Sequence, residues 1–117
     1  MKISKRIVEG VTVIKPEEKK IDAGVALEFK AALIDEARRS GNRLLINLSD
    51  VEFIDSSGLG ALVSVIKGLG NEGRVVLCEA RESVLSILEL TRLDKVLELH
   101  HSEKEALDSI GAGRKDV

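Results

Sequence analysis

Apolar and polar positions along the chain switch repeatedly between a period of two and a period of three to four, and each switch marks a change of element. Ile3 to Val8 and Val11 to Ile14 are short β-branched runs separated by Glu9-Gly10, a pair suited to a tight turn, so they read as a hairpin. Lys15 to Lys20 holds the chain's only proline, Pro16, among five charged residues and reads as an exposed connection, not a continued strand. From Asp22, a favoured N-cap type, to Arg39, the residues Val25, Phe29, Ala32, Leu33 and Ala37 recur at helical spacing. Arg38 and Arg39 suit the negative end of that helix, and Gly41 suits a left-handed stop. Arg43 to Leu48 is apolar on both alternating faces, the pattern of a central strand covered from both sides.

After a turn at Ser49-Asp50 and the short run Val51 to Ile54, the segment Asp55-Ser56-Ser57-Gly58-Leu59-Gly60 opens a second helix, with Leu59, Leu62, Val63 and Ile66 on one stripe and Gly68, Gly70 and Gly73 at its close. Arg74 to Glu79 reads as another buried strand, Val84, Ile87 and Leu88 mark a third helix, and Leu97 and Leu99 mark a last strand. Ser102 to Glu105 has the form of a capping box, and the final helix ends at Ile110-Gly111. The order β-β-α-β-α-β-α-β-α predicts a single α/β domain over residues 1–111, with a mixed, mostly parallel sheet, flanking helices and right-handed connections. Residues 112–117 form a short polar tail expected to fray.

Composition narrows the function classes. The chain has 117 residues, a formal net charge of −2 and only two aromatics, Phe29 and Phe53, so it lacks the basic footprint and stacking rings of a dedicated nucleic-acid binder. Cys78 is the only cysteine, and with His100 and His101 it makes too small a set for a zinc site at any usual spacing. Lys2, Lys5, Arg6 and Glu9 interrupt the N-terminal apolar stretches, and no run approaches the ~20 apolar residues of a membrane span, so a cytoplasmic protein is expected, with no membrane association unless it serves as the scaffold subunit of a larger complex.

The segment from Phe53 to Gly60 is where chemistry concentrates, because a strand end passes directly into a helix start. The first N–H groups of such a helix are unpaired and carry its positive dipole end, which attracts anions. Ser56 and Ser57 place two hydroxyls there, while Gly58 and Gly60 remove bulk that would keep a partner's backbone or a phosphate away. The plainer alternative is that Asp55, Ser56 or Ser57 is an N-cap and the glycines ease packing of helix on sheet.

Phe53-Ile54-Asp55-Ser56-Ser57-Gly58-Leu59-Gly60-Ala61-Leu62 resembles the signature of the STAS domain, specifically the bacterial anti-sigma factor antagonists. Ile21-Asp22-Ala23, Leu44 to Leu48 with Asp50, Leu88 to Val96, and Ser102 to Leu107 fall in the family's order, so the resemblance covers nearly the whole chain. It implies a non-enzymatic, phosphorylation-switched binding module involved in sigma factor regulation. Ser56 matches the serine that the anti-sigma factor, itself a serine kinase, phosphorylates and that a phosphatase restores. The unphosphorylated form is implied to bind the anti-sigma factor and free the sigma factor. Asp22, Asp55, Ser56, Ser57, Gly58 and Leu59 match the partner-binding surface. Two departures stand out: Arg92 replaces a glycine common in the family, and Lys19-Lys20 replace a glycine and another small or polar residue ahead of Ile21-Asp22.

Between Leu44 and Ile66 lie three acidic residues, Asp50, Glu52 and Asp55, and no basic one, so a phosphate on Ser56 finds no neutralising side chain along that stretch of sequence. Other readings carry less. A constitutive STAS scaffold subunit of a stress-signalling or lipid-transport complex is the main alternative, and a nucleotide-binding module is a third. Gly68 to Gly73 spells G-x-G-x-x-G, but it follows a helix and precedes a strand, the reverse of a dinucleotide loop. No cofactor is expected, and neither serine has a base readable from the sequence.

Overall fold

The computed structural model describes residues 1–40, 43–69 and 73–110. Strand β1 (Ile3–Val8) and strand β2 (Val11–Pro16) form the expected antiparallel hairpin. Glu9 and Gly10 turn it with φ of +50° and +82°, the left-handed pair that matches the twist of the two strands. Helix α1 (Ala26–Arg39) follows a two-residue strand β3 (Lys20–Ile21). Then come β4 (Arg43–Asn47), β5 (Phe53–Ile54), α2 (Ser56–Leu69), β6 (Arg74–Cys78), α3 (Glu82–Leu90), a single 3₁₀ turn (Leu93–Lys95), β7 (Glu98–His100) and α4 (Glu103–Ile110).

The main sheet has the order β1-β2-β4-β6-β7, parallel at every junction except the hairpin. This is the α/β domain with a mixed, mostly parallel sheet that the pattern predicts. Alternation along the strands divides the interior in two. Ile14, Leu44, Ile46 and Leu77 face a large core with Phe29 and Leu33 of α1, Leu59 and Leu62 of α2, and Val84 and Leu88 of α3. Val11, Val13, Leu45, Val76 and Cys78 face the other way, against Ala106 and Ile110 of α4. The two-faced apolar pattern of β4 and β6 is therefore explained: each strand is covered on both sides.

Several expectations need correction. β2 continues through Lys15 to a buried Pro16, which closes the strand opposite Ile3 at a position where its missing N–H costs no ladder bond within the sheet's middle. Lys20 is not part of a free connection but pairs in parallel with Phe53, and Ile21 pairs with Ile54, in a separate two-stranded sheet. On α2 the buried stripe is Leu59, Ala61, Leu62 and Val65, while Val63 and Ile66 are only half-buried. The expected stops at Gly41 and Gly70, Gly111 at the end of the last helix, and the tail at 112–117 lie outside the described residues.

Arg92 occupies the left-handed region at φ +63°, ψ +15°, so the turn after α3 keeps the backbone a glycine would favour. Ser102 Oγ accepts from the Glu105 amide at 3.1 Å, which supplies the side-chain half of the expected capping box at α4. No helix among the described residues is long and apolar enough to cross a membrane.

Candidate functional site

The small β3–β5 sheet is what builds the site. It sits beside the main sheet and joins the turn before α1 to the segment before α2, so Asp22 and Asp55 emerge side by side from paired strands. Ile21 and Ile54 are both fully buried and fix this pair to the core. The Asp55 amide donates to the Ile21 carbonyl at 3.2 Å, which carries the pairing right up to the first turn of α2.

Asp55 resolves the question of the cap. Its Oδ1 accepts from the Gly58 amide at 3.0 Å, satisfying one of the orphan donors at the start of α2. Its Oδ2 accepts from the Ala23 amide at 3.2 Å, so one carboxylate holds both the helix start and the turn beside it. Because Asp55 does the capping, Ser56 and Ser57 are released from that duty. Both are exposed, and neither hydroxyl is engaged by another of the described residues.

Asp22 behaves differently from the expectation. Helix α1 begins at Ala26 with Val25 at the cap position and no side-chain cap. The Asp22 Oδ1 instead accepts from the Gly24 amide at 3.0 Å, and its carbonyl accepts from Val25 and Ala26 at 3.0 and 2.9 Å. The side chain closes an Asx turn, which delays the helix by one turn and leaves Ala23 and Gly24 exposed.

Gly58 and Leu59, the next two residues, turn inward from the exposed serines. Leu59 is only 7% exposed and belongs to the large core. A Cβ added at Gly58 would stand 2.4 Å from the Ile21 carbonyl oxygen and 2.7 Å from Ile54 Cγ1, so the first turn of α2 approaches the small sheet as closely as only glycine allows. Gly60, by contrast, has open space around its Cα and faces outward.

Beside Ser57 an open groove of about 280 Å³ runs between α1 and α2, floored by Ala23, Ala26, Gly60 and Ala61. Leu27 stands on its rim at 82% exposure, and Phe53, one residue outside the small sheet's buried pair, is 44% exposed. Lys30 also lines the groove. Sequence reading missed this cation because it lies on α1, more than twenty residues away from the serines; only the packing of α1 against α2 brings it near.

Lys19 and Lys20 are exposed beside this corner, with the Lys19 carbonyl accepting from the Glu52 and Phe53 amides at 2.7 and 3.0 Å. The histidines belong elsewhere: His100 Nε2 lies 3.3 Å from Glu98 Oε2 on the last strand. Cys78 is buried in the smaller core, and burial pushes its thiol up to about 12, so it is an unreactive apolar filler.

The STAS domain family model matches residues 2–106, which is most of the chain and includes every residue of this corner. The chain belongs to the STAS domain family. A Thermotoga neapolitana protein named as an anti-sigma factor antagonist is 35% identical over 107 residues, covering 90% of this chain and 94% of its own length. The anti-sigma-B factor antagonist of Listeria monocytogenes is 33% identical over 86 residues, covering 73% of this chain and 75% of the relative. The crystal structure of a Thermotoga maritima protein of the same class superposes with a TM-score of 0.84 at 32% identity, covering 92% of this chain and 93% of that one. This STAS domain thus falls, by sequence and by fold, among bacterial anti-sigma factor antagonists.

Proposed function

We propose that this STAS domain is a cytoplasmic anti-sigma factor antagonist whose binding to an anti-sigma factor is switched by phosphorylation of Ser56. The observation that carries the reading is the division of labour at the start of α2: Asp55 caps the helix, so the adjacent Ser56 hydroxyl is exposed and uncommitted. The contact surface comprises Asp22, Asp55, Ser56 and Ser57, with Gly58 and Leu59 setting the backbone that presents them. Phe53 and the Leu27 rim supply apolar area on either side.

The protein catalyses nothing in this scheme; the partner is a serine kinase that transfers a phosphoryl group to Ser56, and a phosphatase removes it. A phosphoserine brings a charge of about −1.5 to −2 and three acceptor oxygens. Here it arrives beside the Asp55 and Asp22 carboxylates, which raises the negative charge of the docking surface without a new internal partner from the same stretch of chain. The positive end of α2 offsets part of this, by about 0.3–1 kcal/mol, so the fold tolerates the modification. A partner that must desolvate the same surface meets like charge and bulk, a cost of several kcal/mol.

The test is calorimetric titration of an anti-sigma factor kinase from the same organism against three forms. The unmodified protein and Ser56→Ala are expected to bind alike, and Ser56→Asp at least about tenfold more weakly, equivalent to about 1.4 kcal/mol. Equal affinity for Ser56→Ala and Ser56→Asp defeats the switch.

A further inference from the structure

The two faces of the main sheet are covered unequally. Helices α1, α2 and α3 share the large core, whereas α4 is the one described helix in the smaller core on the other face. Of its eight residues only Ala106 and Ile110 are buried, with Leu107 packed at the edge. Beneath them lie Val11, Val13, Leu45, Val76 and Cys78, every one at most 1% exposed. A helix this short does not persist alone in water, so α4 keeps its shape only while it is docked.

Polar contacts at its two ends complete the attachment. At the start, Glu103 Oε1 accepts from Arg6 Nη2 of β1 at 2.5 Å and from Asn47 Nδ2 at the end of β4 at 3.0 Å. Glu79 Oε2, just after β6, accepts from the Glu103 amide at 2.8 Å. At the other end, Arg74 of β6 donates to the Ser109 carbonyl and hydroxyl at 3.2 and 2.9 Å, and Arg43 of β4 donates to the Ile110 carbonyl. Both arginines face the negative end of the helix dipole. The helix itself is acidic, with Glu103, Glu105 and Asp108 against Lys104.

Such clamps fix where the helix sits better than they resist its release. The Arg6 and Arg74 side chains are 54% and 44% exposed, and ion pairs in contact with solvent contribute little. Elements with few apolar anchors open at a lower free energy than the whole domain unfolds. We propose that α4 is a charge-clamped flap that lifts from the sheet as a unit while the rest of the domain, including the Ser56 corner, stays folded. The corner is built from β3, β5, α1 and α2, whose buried apolar residues lie in the large core, so lifting α4 leaves it in place. Cys78 reports the opening. It is the only cysteine, it is fully buried, and burial pushes its thiol up to about 12, so it is unreactive while the flap is down.

The test is labelling of Cys78 in the full-length protein with an aromatic disulfide reagent at about pH 8, in urea concentrations below the unfolding transition, beside amide exchange at Ile46 of the central strand β4 as the measure of global unfolding. Opening at Cys78 is expected to be at least about tenfold more frequent than global unfolding, with a urea slope that is above zero and below about half of the global one. Arg6→Gln is expected to raise Cys78 labelling about threefold. Val65→Ala, in the large core, destabilises the closed and lifted forms alike; it is expected to speed exchange at Ile46 at least about fivefold and to change Cys78 labelling less than about twofold. If Val65→Ala does not fold, the urea slope of the unmodified protein decides. A Cys78 slope equal to the global one, or labelling that rises in Val65→Ala as much as exchange at Ile46, means that the thiol is reached only by global unfolding and overturns the proposal. A slope of zero, which means entry of the reagent without release of the helix, or unchanged labelling in Arg6→Gln overturns it as well.

Discussion

Helices α1 and α2 both begin near an aspartate, yet the two aspartates do different things. Asp55 caps α2 through one oxygen and ties down the Ala23 amide with the other. Asp22 closes a turn ahead of α1, whose own first residues have no side-chain cap. The helix start at Asp55 is rigid, pressed against the small sheet through Gly58; the one at Asp22 is a turn held partly by its neighbour's carboxylate. The lesson is that a side-chain cap at Asp55 leaves the hydroxyls beside it uncommitted, while the Asx turn at Asp22 brings a second carboxylate next to that helix start.

The sharpest way to break this contrast is at Gly58. Gly58→Ala forces a methyl to within 2.4 Å of a backbone oxygen and is expected to cost about 3 kcal/mol, where overpacking of a tight interior commonly costs 1–3. Gly60→Ala, two residues on and with open space, is expected to stabilise by about 0.5–1 kcal/mol through helix propensity. Urea unfolding of both variants checks the pair, and equal effects would mean that the close approach at Gly58 is not what fixes the site.

Asp55→Ala removes the cap and the Ala23 bond together and is expected to lose about 1–2 kcal/mol. Asp55→Asn keeps a capping oxygen and is expected to lose less than half of that, while amide exchange at Ala23 accelerates and exchange at Gly58 does not. Exchange that accelerates equally at both amides would contradict the separate roles of the two oxygens.

A smaller gain is expected at the far end of the fold, where Arg92→Gly relieves a left-handed backbone and raises stability by about 1 kcal/mol in thermal or urea unfolding.

On the α4 side the charges matter in acid. The Arg6 guanidinium, 2.5 Å from Glu103, holds that carboxyl below its ordinary value, and Arg74 does the same for Glu98. Because these carboxylates titrate lower in the folded than in the unfolded chain, their contribution is present above the ordinary carboxylate range and is lost as pH falls through the depressed folded values. Glu103→Gln is therefore expected to flatten the acid limb of a stability-against-pH curve below about pH 4.5, with the smallest effect of the series.

How much of this was legible beforehand differs between the sheet and the site. β4 and β6 announce themselves through apolar residues on both faces, and the Glu9-Gly10 hairpin through its turn chemistry. The β3–β5 pair was hidden because two residues per strand carry no periodicity, and Lys20 and Phe53 meet only in the folded chain. Asp22 misled because an aspartate before an apolar run signals a helix cap and an Asx turn equally well; the backbone after it decides, and Gly24 permits the turn. At the site, the place of Ser56 at a helix start was readable from the strand and aspartate before it, whereas the inward turn of Leu59 and the arrival of Lys30 depend on how α2 packs against α1 and the sheet.

The central claim is that the hydroxyl beside the cap is the one that reacts. Incubation of the protein with the anti-sigma factor kinase and ATP, followed by fragmentation mass spectrometry that separates the two neighbouring serines, tests it directly. The account predicts one phosphate on Ser56 and none on the Ser56→Ala variant. Phosphate on Ser57 alone, or undiminished labelling of Ser56→Ala, would contradict it.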